Sequence, residues 1–166
     1  MTNIQFLDST KKKKIISELE VFGVDSIPYL LLKFGKERVR AYSGSMSNKE
    51  LYNICSFLPV ELIGIYFGKE VNGGEFENFR LSTDALHALQ SQIDKNIVDL
   101  LPEQEKEWFF GSNINLSEEQ QKKYQDLKGF VAMRSGQDFL GIGKISNDKK
   151  LISNFLPKER RRRKMG

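Results

Sequence analysis

The sequence is poor in the residues that do chemistry: one histidine, one cysteine and one tryptophan among 166 residues. The lone Cys55 excludes a disulfide within the chain and suits a reducing compartment. One histidine and one cysteine cannot supply a zinc ligand set. A nucleophilic pair of Cys55 and His87 would need a thiol taken from the apolar stripe of a helix, where a packed, inert cysteine is the ordinary outcome. His87 itself falls mid-helix beside Leu86 and Leu89. No apolar run approaches the roughly 18–20 residues that span a bilayer, and the opening MTNIQFLDSTKKKK lacks the apolar stretch of a secretory leader. These absences predict a cytoplasmic chain with no metal, no cofactor, no membrane contact and no enzyme activity.

Two glycine-bearing stretches fail as nucleotide or methyl-donor sites. GIGK at 141–144 has Asp138 five positions before Gly143 where a phosphate loop requires glycine, and Ile145 where it requires Ser or Thr. The segment is flanked by strand-like sequence with no helix to open. LIGIYFGKEVNGG lacks the repeated βα units of a doubly wound fold. The acidic run Glu103, Glu105 and Glu107 reads as surface, because nothing around it signals burial.

What the sequence does have is unevenly placed positive charge. The net charge is +4. Residues 1–92 carry 11 Lys+Arg against 11 Asp+Glu, and residues 93–166 carry 15 against 11, so the whole excess lies in the second part. It is densest in the closing NFLPKERRRRKMG. Such asymmetry points to an anionic partner, nucleic acid before others.

The element pattern is α+β. DSTKKKKIISELEVFG predicts a helix capped by Ser9 or Thr10, with Ile15, Ile16, Leu19 and Phe22 at helical spacing and Gly23 just past its end. Lys11 to Lys14 crowd its first turn against the helix dipole, as a solvated face or a second acidic contact. IPYLLLKF and RVRAYS predict a hairpin turning at Gly35. SNKELYNICSFL predicts a helix with Ser47 and Glu50 as a capping box and Leu51, Ile54, Cys55 and Leu58 as its apolar stripe. A buried strand in VELIGIYFGKE, a turn at the NGG of 72–74, FENFRL and a helix from Ser82 or Thr83 complete an N-terminal α+β domain over 1–92.

Over 93–166 the expected texture is short strands, as in a small β-barrel: KNIVDLLP, WFFGSNINLS, LKGFVAMRS, DFLGIGKIS and KLISNF. EEQQKKYQD interrupts them as a surface loop or one helical turn. Trp108, Phe109 and Phe110 are expected in the core before any base-stacking role. In the terminal run, Asn154, Phe155 and Leu156 continue a strand pattern that Pro157 ends. Lys158 to Arg161 are expected to be held at the rim of the barrel, with Arg162 onward free.

Two stretches carry a family resemblance: YFGKEVNGGEFENFRLSTDALHAL, and WFFGSNINLS followed by GFVAMRSGQDFLGIGKIS. Over roughly residues 25 to 164 the chain resembles the Nip-seven-like ribosome-biogenesis factors, in which an α+β domain precedes a PUA domain. The run Phe110, Gly111, Ser112 and Asn113 is similar to a recurrent PUA element, as is the hairpin bearing Gly141 and Gly143. LISNFLPKERR looks more like the end of PUA-like modules attached to RNA-modifying enzymes, notably Sun-type RNA cytosine methyltransferases. The resemblance implies a non-catalytic RNA-binding protein acting in rRNA maturation, with a protein partner on its N-terminal domain. The alternative is a targeting subunit or free-standing PUA module for such a methyltransferase or a pseudouridine synthase. The RNA-facing residues it implies are Arg134, Lys144, Lys158, Arg160, Arg161, Arg162 and Arg163.

Overall fold

A computed structural model describes residues 4–71 and 79–163. The NGG turn and Lys164 lie outside the described residues. The chain forms a mixed α and β structure with two five-stranded sheets, the second a curled half-barrel.

Strands β1 (Ile4–Phe6), β2 (Leu30–Phe34), β3 (Arg38–Tyr42), β4 (Ile65–Glu70) and β5 (Phe79–Leu81) stand in that order, all neighbours antiparallel. The expected hairpin is β2–β3, and Gly35 turns it with φ +66. Helix α1 (Ser9–Leu19) lays Ile15 and Leu19 into the core. Its cap is Asp8 rather than Ser9 or Thr10: the Asp8 carboxylate accepts from the Lys11 amide at 2.8 Å, and a negative cap offsets the lysines of the first turn. Gly23 ends the following 3-10 turn, Glu20–Phe22, in the left-handed region at φ +92.

Helix α2 (Asn48–Phe57) has the expected capping box of Ser47 and Glu50. Its expected apolar stripe is not a core stripe. Only Leu51 is buried, while Ile54 and Leu58 are exposed and Cys55 is half-buried. Amphipathic spacing identifies an apolar face, but of that stripe only Leu51 and Cys55, one turn apart, pack against the first sheet. In VELIGIYFGKE, Phe67 and Gly68 are buried, but Leu62 and Ile65 remain exposed.

Helix α3 (Thr83–Ala88), capped by Ser82, joins the two sheets. The second sheet runs β6 (Ile97–Asp99), β8 (Phe130–Ser135), β9 (Asp138–Ile145), β10 (Leu151–Asn154), β7 (Ile114–Asn115). Strand β6 lies parallel to β8, and the other neighbours are antiparallel. The crossover that this parallel pair needs carries α4 (Pro102–Phe109), β7 and α5 (Glu118–Lys123). The strand expected in WFFGSNINLS is therefore corrected: Trp108 and Phe109 end a helix, and only Ile114 and Asn115 are extended. Pro102 at the first helical position, the Gln104 side chain accepting from the Leu101 amide at 3.0 Å, and two acids in the first turn favour that helix. Among the strands of the described residues, β6 and β7 are edges, so the curl stops short of a closed ring.

The largest core cluster draws from both sides of residue 92. Leu19, Phe22, Leu31, Phe67, Leu86 and Leu89 pack with Phe130, Ala132, Phe139 and Ile142. A second cluster within the half-barrel centres on Trp108, with Val131, Met133, Ile152 and Leu156.

Candidate nucleic-acid interface

The terminal segment is built onto the end of α4. Asn154 ends β10 and its side-chain amide donates to the carbonyls of Trp108 at 2.8 Å and Ser112 at 2.9 Å. Its backbone amide donates to the Asn113 carboxamide oxygen at 3.0 Å. The Phe110–Asn113 run is thus a docking turn for the end of β10. Gly111 makes the turn possible with φ +83. Leu156 is buried beside Trp108, whose Nε1 donates to the Leu140 carbonyl at 3.2 Å. The expected close approach at the β9 glycines is present. A Cβ on Gly141 would sit 3.3 Å from both Thr83 Oγ1 and Trp108 Cζ2, and Gly143 lies against the Ile152 side chain of β10.

After Pro157 the chain makes one 3-10 turn, Lys158–Arg160, and then runs extended across the docking turn. Arg160 donates to the Asp84 carboxylate at 2.6 Å, both side chains remaining more than two-fifths exposed. Arg161 donates from Nε to the Leu156 carbonyl at 2.9 Å, and its side chain lies across Gly111 so closely that a Cβ there would sit 2.6 Å from its Cδ. Arg162, expected to be free, is held twice. Its amide donates to the Phe109 carbonyl at 2.7 Å, and its guanidinium stacks 4.7 Å from the Phe109 ring centroid. The reason is that Phe109, at the last turn of α4, is only half-buried and presents a ring face to the passing chain. Lys158 and Arg163 are exposed and take part in none of the ion pairs among the described residues.

The structure brings Lys158 and Arg160 to Arg163 together as one fixed basic rim. Lys144 is tied to the base of the same segment: it pairs across the ladder with Ser153, and its ammonium lies 5.8 Å from the Phe130 ring, which meets the Phe155 ring edge-on at 5.9 Å. Arg134 is placed differently. Its guanidinium donates to Asp99 of β6 at 2.7 Å, and Lys123 of α5 approaches the same carboxylate at 3.5 Å. The hydrogen bond from Arg134 holds the Asp99 carboxyl below the usual range, against the opposing effect of partial burial, and the same bond raises the Arg134 guanidinium. Arg134 is thus committed to an ion pair that ties β6, β8 and α5 together. The side chains that position the rim, Asn154, Phe109 and Asp84, carry no local mark of that part in the sequence. The one visible signal is an aromatic-rich helix end followed by glycine, opposite an arginine run.

Of the four lysines in α1, Lys12 donates to the Tyr29 carbonyl at 2.7 Å and is structural, while Lys11, Lys13 and Lys14 are exposed. The His87 ring nitrogen meets the Phe139 carbonyl at 2.7 Å, linking α3 to β9. Among the described residues, no group of three His, Cys, Asp or Glu side chains is placed to hold a metal ion, and no helix is long and apolar enough to cross a membrane. No protein-family model matches the chain, and no curated protein matches it.

Proposed function

We propose that this protein is a non-catalytic RNA-binding module with a PUA-like C-terminal domain, serving rRNA maturation in the manner of the Nip-seven-like factors that its sequence resembles. The observation that supports this reading is the rim itself. Five basic side chains within six residues, 158–163, are anchored at three successive arginines and leave charge facing outward. Clustered Lys and Arg neutralise phosphates and release condensed counterions, which yields affinity that depends on salt rather than on sequence. Arginine adds bidentate phosphate contact and planar stacking. A rim already fixed in place loses less conformational entropy on binding than a free tail does.

Titrating binding of a short RNA stem–loop against salt tests the reading. Replacing Arg161, Arg162 and Arg163 by Gln should flatten the log–log slope by about 0.7–0.9 for each phosphate left without its cation. RNA affinity that is absent, or indifferent to salt, in the unmodified protein would refute it.

The targeting-subunit reading retains a specific support. Helix α2 and the segment that follows it leave large apolar side chains exposed: Phe57 is 85% exposed and Leu62 66%, and Tyr52 and Leu58 are exposed as well. Exposed apolar side chains in one stretch of chain suit a protein partner on the N-terminal domain. Pull-down from native cells separates the two readings: pre-ribosomal particles favour rRNA maturation, and an RNA-modifying enzyme without them favours targeting.

A further inference from the structure

The outer face of the first sheet holds a second basic array that no sequence pattern marks. Cross-strand partners in an antiparallel ladder share a face. Arg38 of β3 stands opposite Lys69 of β4, and Lys69 stands opposite Arg80 of β5. Their neighbours Val39, Gly68, Phe79 and Leu81 are buried on the core side, so the three cations point away from the core. Like charges placed directly opposite on adjacent strands destabilise a sheet, and here three are aligned. Lys69 is partly balanced by Glu37 at 3.6 Å. Arg38 is exposed and joins no ion pair among the described residues.

The row does not end at the sheet edge. The Arg80 guanidinium stacks 4.5 Å from the ring centroid of Phe155, the residue that follows β10. Phe155 meets Phe130, and Lys144 stands over Phe130. Arg38, Lys69, Arg80 and Phe155 therefore make a row that leads from the N-terminal sheet toward the base of the terminal rim, where the exposed Lys144 stands over the buried Phe130 ring.

We propose that this row is a second RNA-contact surface, so that the N-terminal sheet itself binds the phosphate backbone of the RNA held at the rim. The proposal rests on the RNA-binding reading above. Strands about 4.8 Å apart place the three cations within about 10 Å, the rise of about three nucleotides of a stacked strand at 3.4 Å each. The regular spacing of the row and its continuity with the aromatic pair fit a charged polymer better than an isolated acidic side chain. Aromatic rings beneath the cations hold Arg80 and Lys144 in place without neutralising them.

The test uses the full chain and a fluorescent RNA stem–loop, with affinity measured by anisotropy from 50 to 200 mM salt. The double variant Arg38→Gln/Lys69→Gln leaves the Arg80–Phe155 stack intact, and its thermal midpoint checks that it folds. With two phosphates no longer neutralised, the salt slope should flatten by about 1.4–1.8, so that affinity falls about tenfold less over that range than in the unmodified protein. The charge-conserving pair Arg38→Lys/Lys69→Arg should keep the original slope. Should the double variant match the unmodified protein while neutralising Arg161 to Arg163 still flattens the slope, the row is not an RNA surface, though the rim is. Absence of salt-dependent binding in the unmodified protein would instead remove the RNA reading and this proposal together.

Discussion

Gly111 is the position where a single methyl group tests how the rim is held. Its φ of +83 is costly for any residue with a side chain, and a Cβ there would lie 2.6 Å from both Cδ and Nε of Arg161. Gly136, in the β8–β9 turn, also has positive φ, at +58, but a Cβ there meets nothing within 4 Å. Gly136→Ala should therefore cost only backbone strain, about 1 kcal/mol after the entropy lost by the unfolded chain is credited. Gly111→Ala must also displace Arg161 from the Leu156 carbonyl, a charge-assisted bond worth about 1 kcal/mol at this half-buried site. We expect about 2–3 kcal/mol in total, or a fall in Tm of roughly 4–12 °C for a chain of this size. Urea denaturation supplies the free energies, and Arg161→Ala supplies the cycle. With that side chain truncated, the cost of Gly111→Ala should drop toward that of Gly136→Ala. An equal cost in both backgrounds would refute the idea that Arg161 is seated on the Gly111 turn.

Two other outcomes follow from the charge geometry. Asp84→Asn removes a carboxylate from beside the rim, so the salt slope of RNA binding should steepen by up to about 0.9, while stability moves by less than about 1 kcal/mol because the pair is exposed. Asp99 sits below its ordinary value because Arg134 binds its charged form, so its contribution is complete above the unfolded pKa of about 3.9 and is lost as pH falls through the lower folded value. Asp99→Asn should accordingly remove part of the acid sensitivity of unfolding below about pH 4. Acid denaturation profiles that superimpose for the two proteins would show that the Asp99–Arg134 bond does not contribute.

Local signals in the sequence carry local structure. The hairpin at Gly35, the capping box at Ser47 and Glu50, the stop at Gly23 and the strand run from β8 to β10 each depend on a few adjacent residues. Helix α4 is hidden because its aromatic end reads as strand, while its determinants, Pro102 and the first-turn acids, lie ahead of the aromatics. The α2 stripe shows amphipathicity without showing what, if anything, covers it. Arg134 reads as an exposed basic residue because its partner Asp99 is 35 positions away. The hold on Arg162 depends in the same way on a distant ring, Phe109. Charge asymmetry locates the rim, but only the fold reveals that three of its arginines are already engaged and that a second basic row stands on the other sheet.

The linkage between Asn154 and the carbonyls of Trp108 and Ser112, 46 and 42 positions upstream, has a consequence for how the rim comes into being. The half-barrel is assembled from distant pairings, with β6 beside β8 and β7 beside β10, and contacts of that range form late because loop closure must be completed first. Before closure the arginines are charges on a flexible polymer; after it they are an array. A polyanion that prefers the array must favour the closed sheet by mass action, adding about 2.7 kcal/mol when present at 100 times its dissociation constant. RNA would then act as a folding ligand for the very sheet that presents it with a surface.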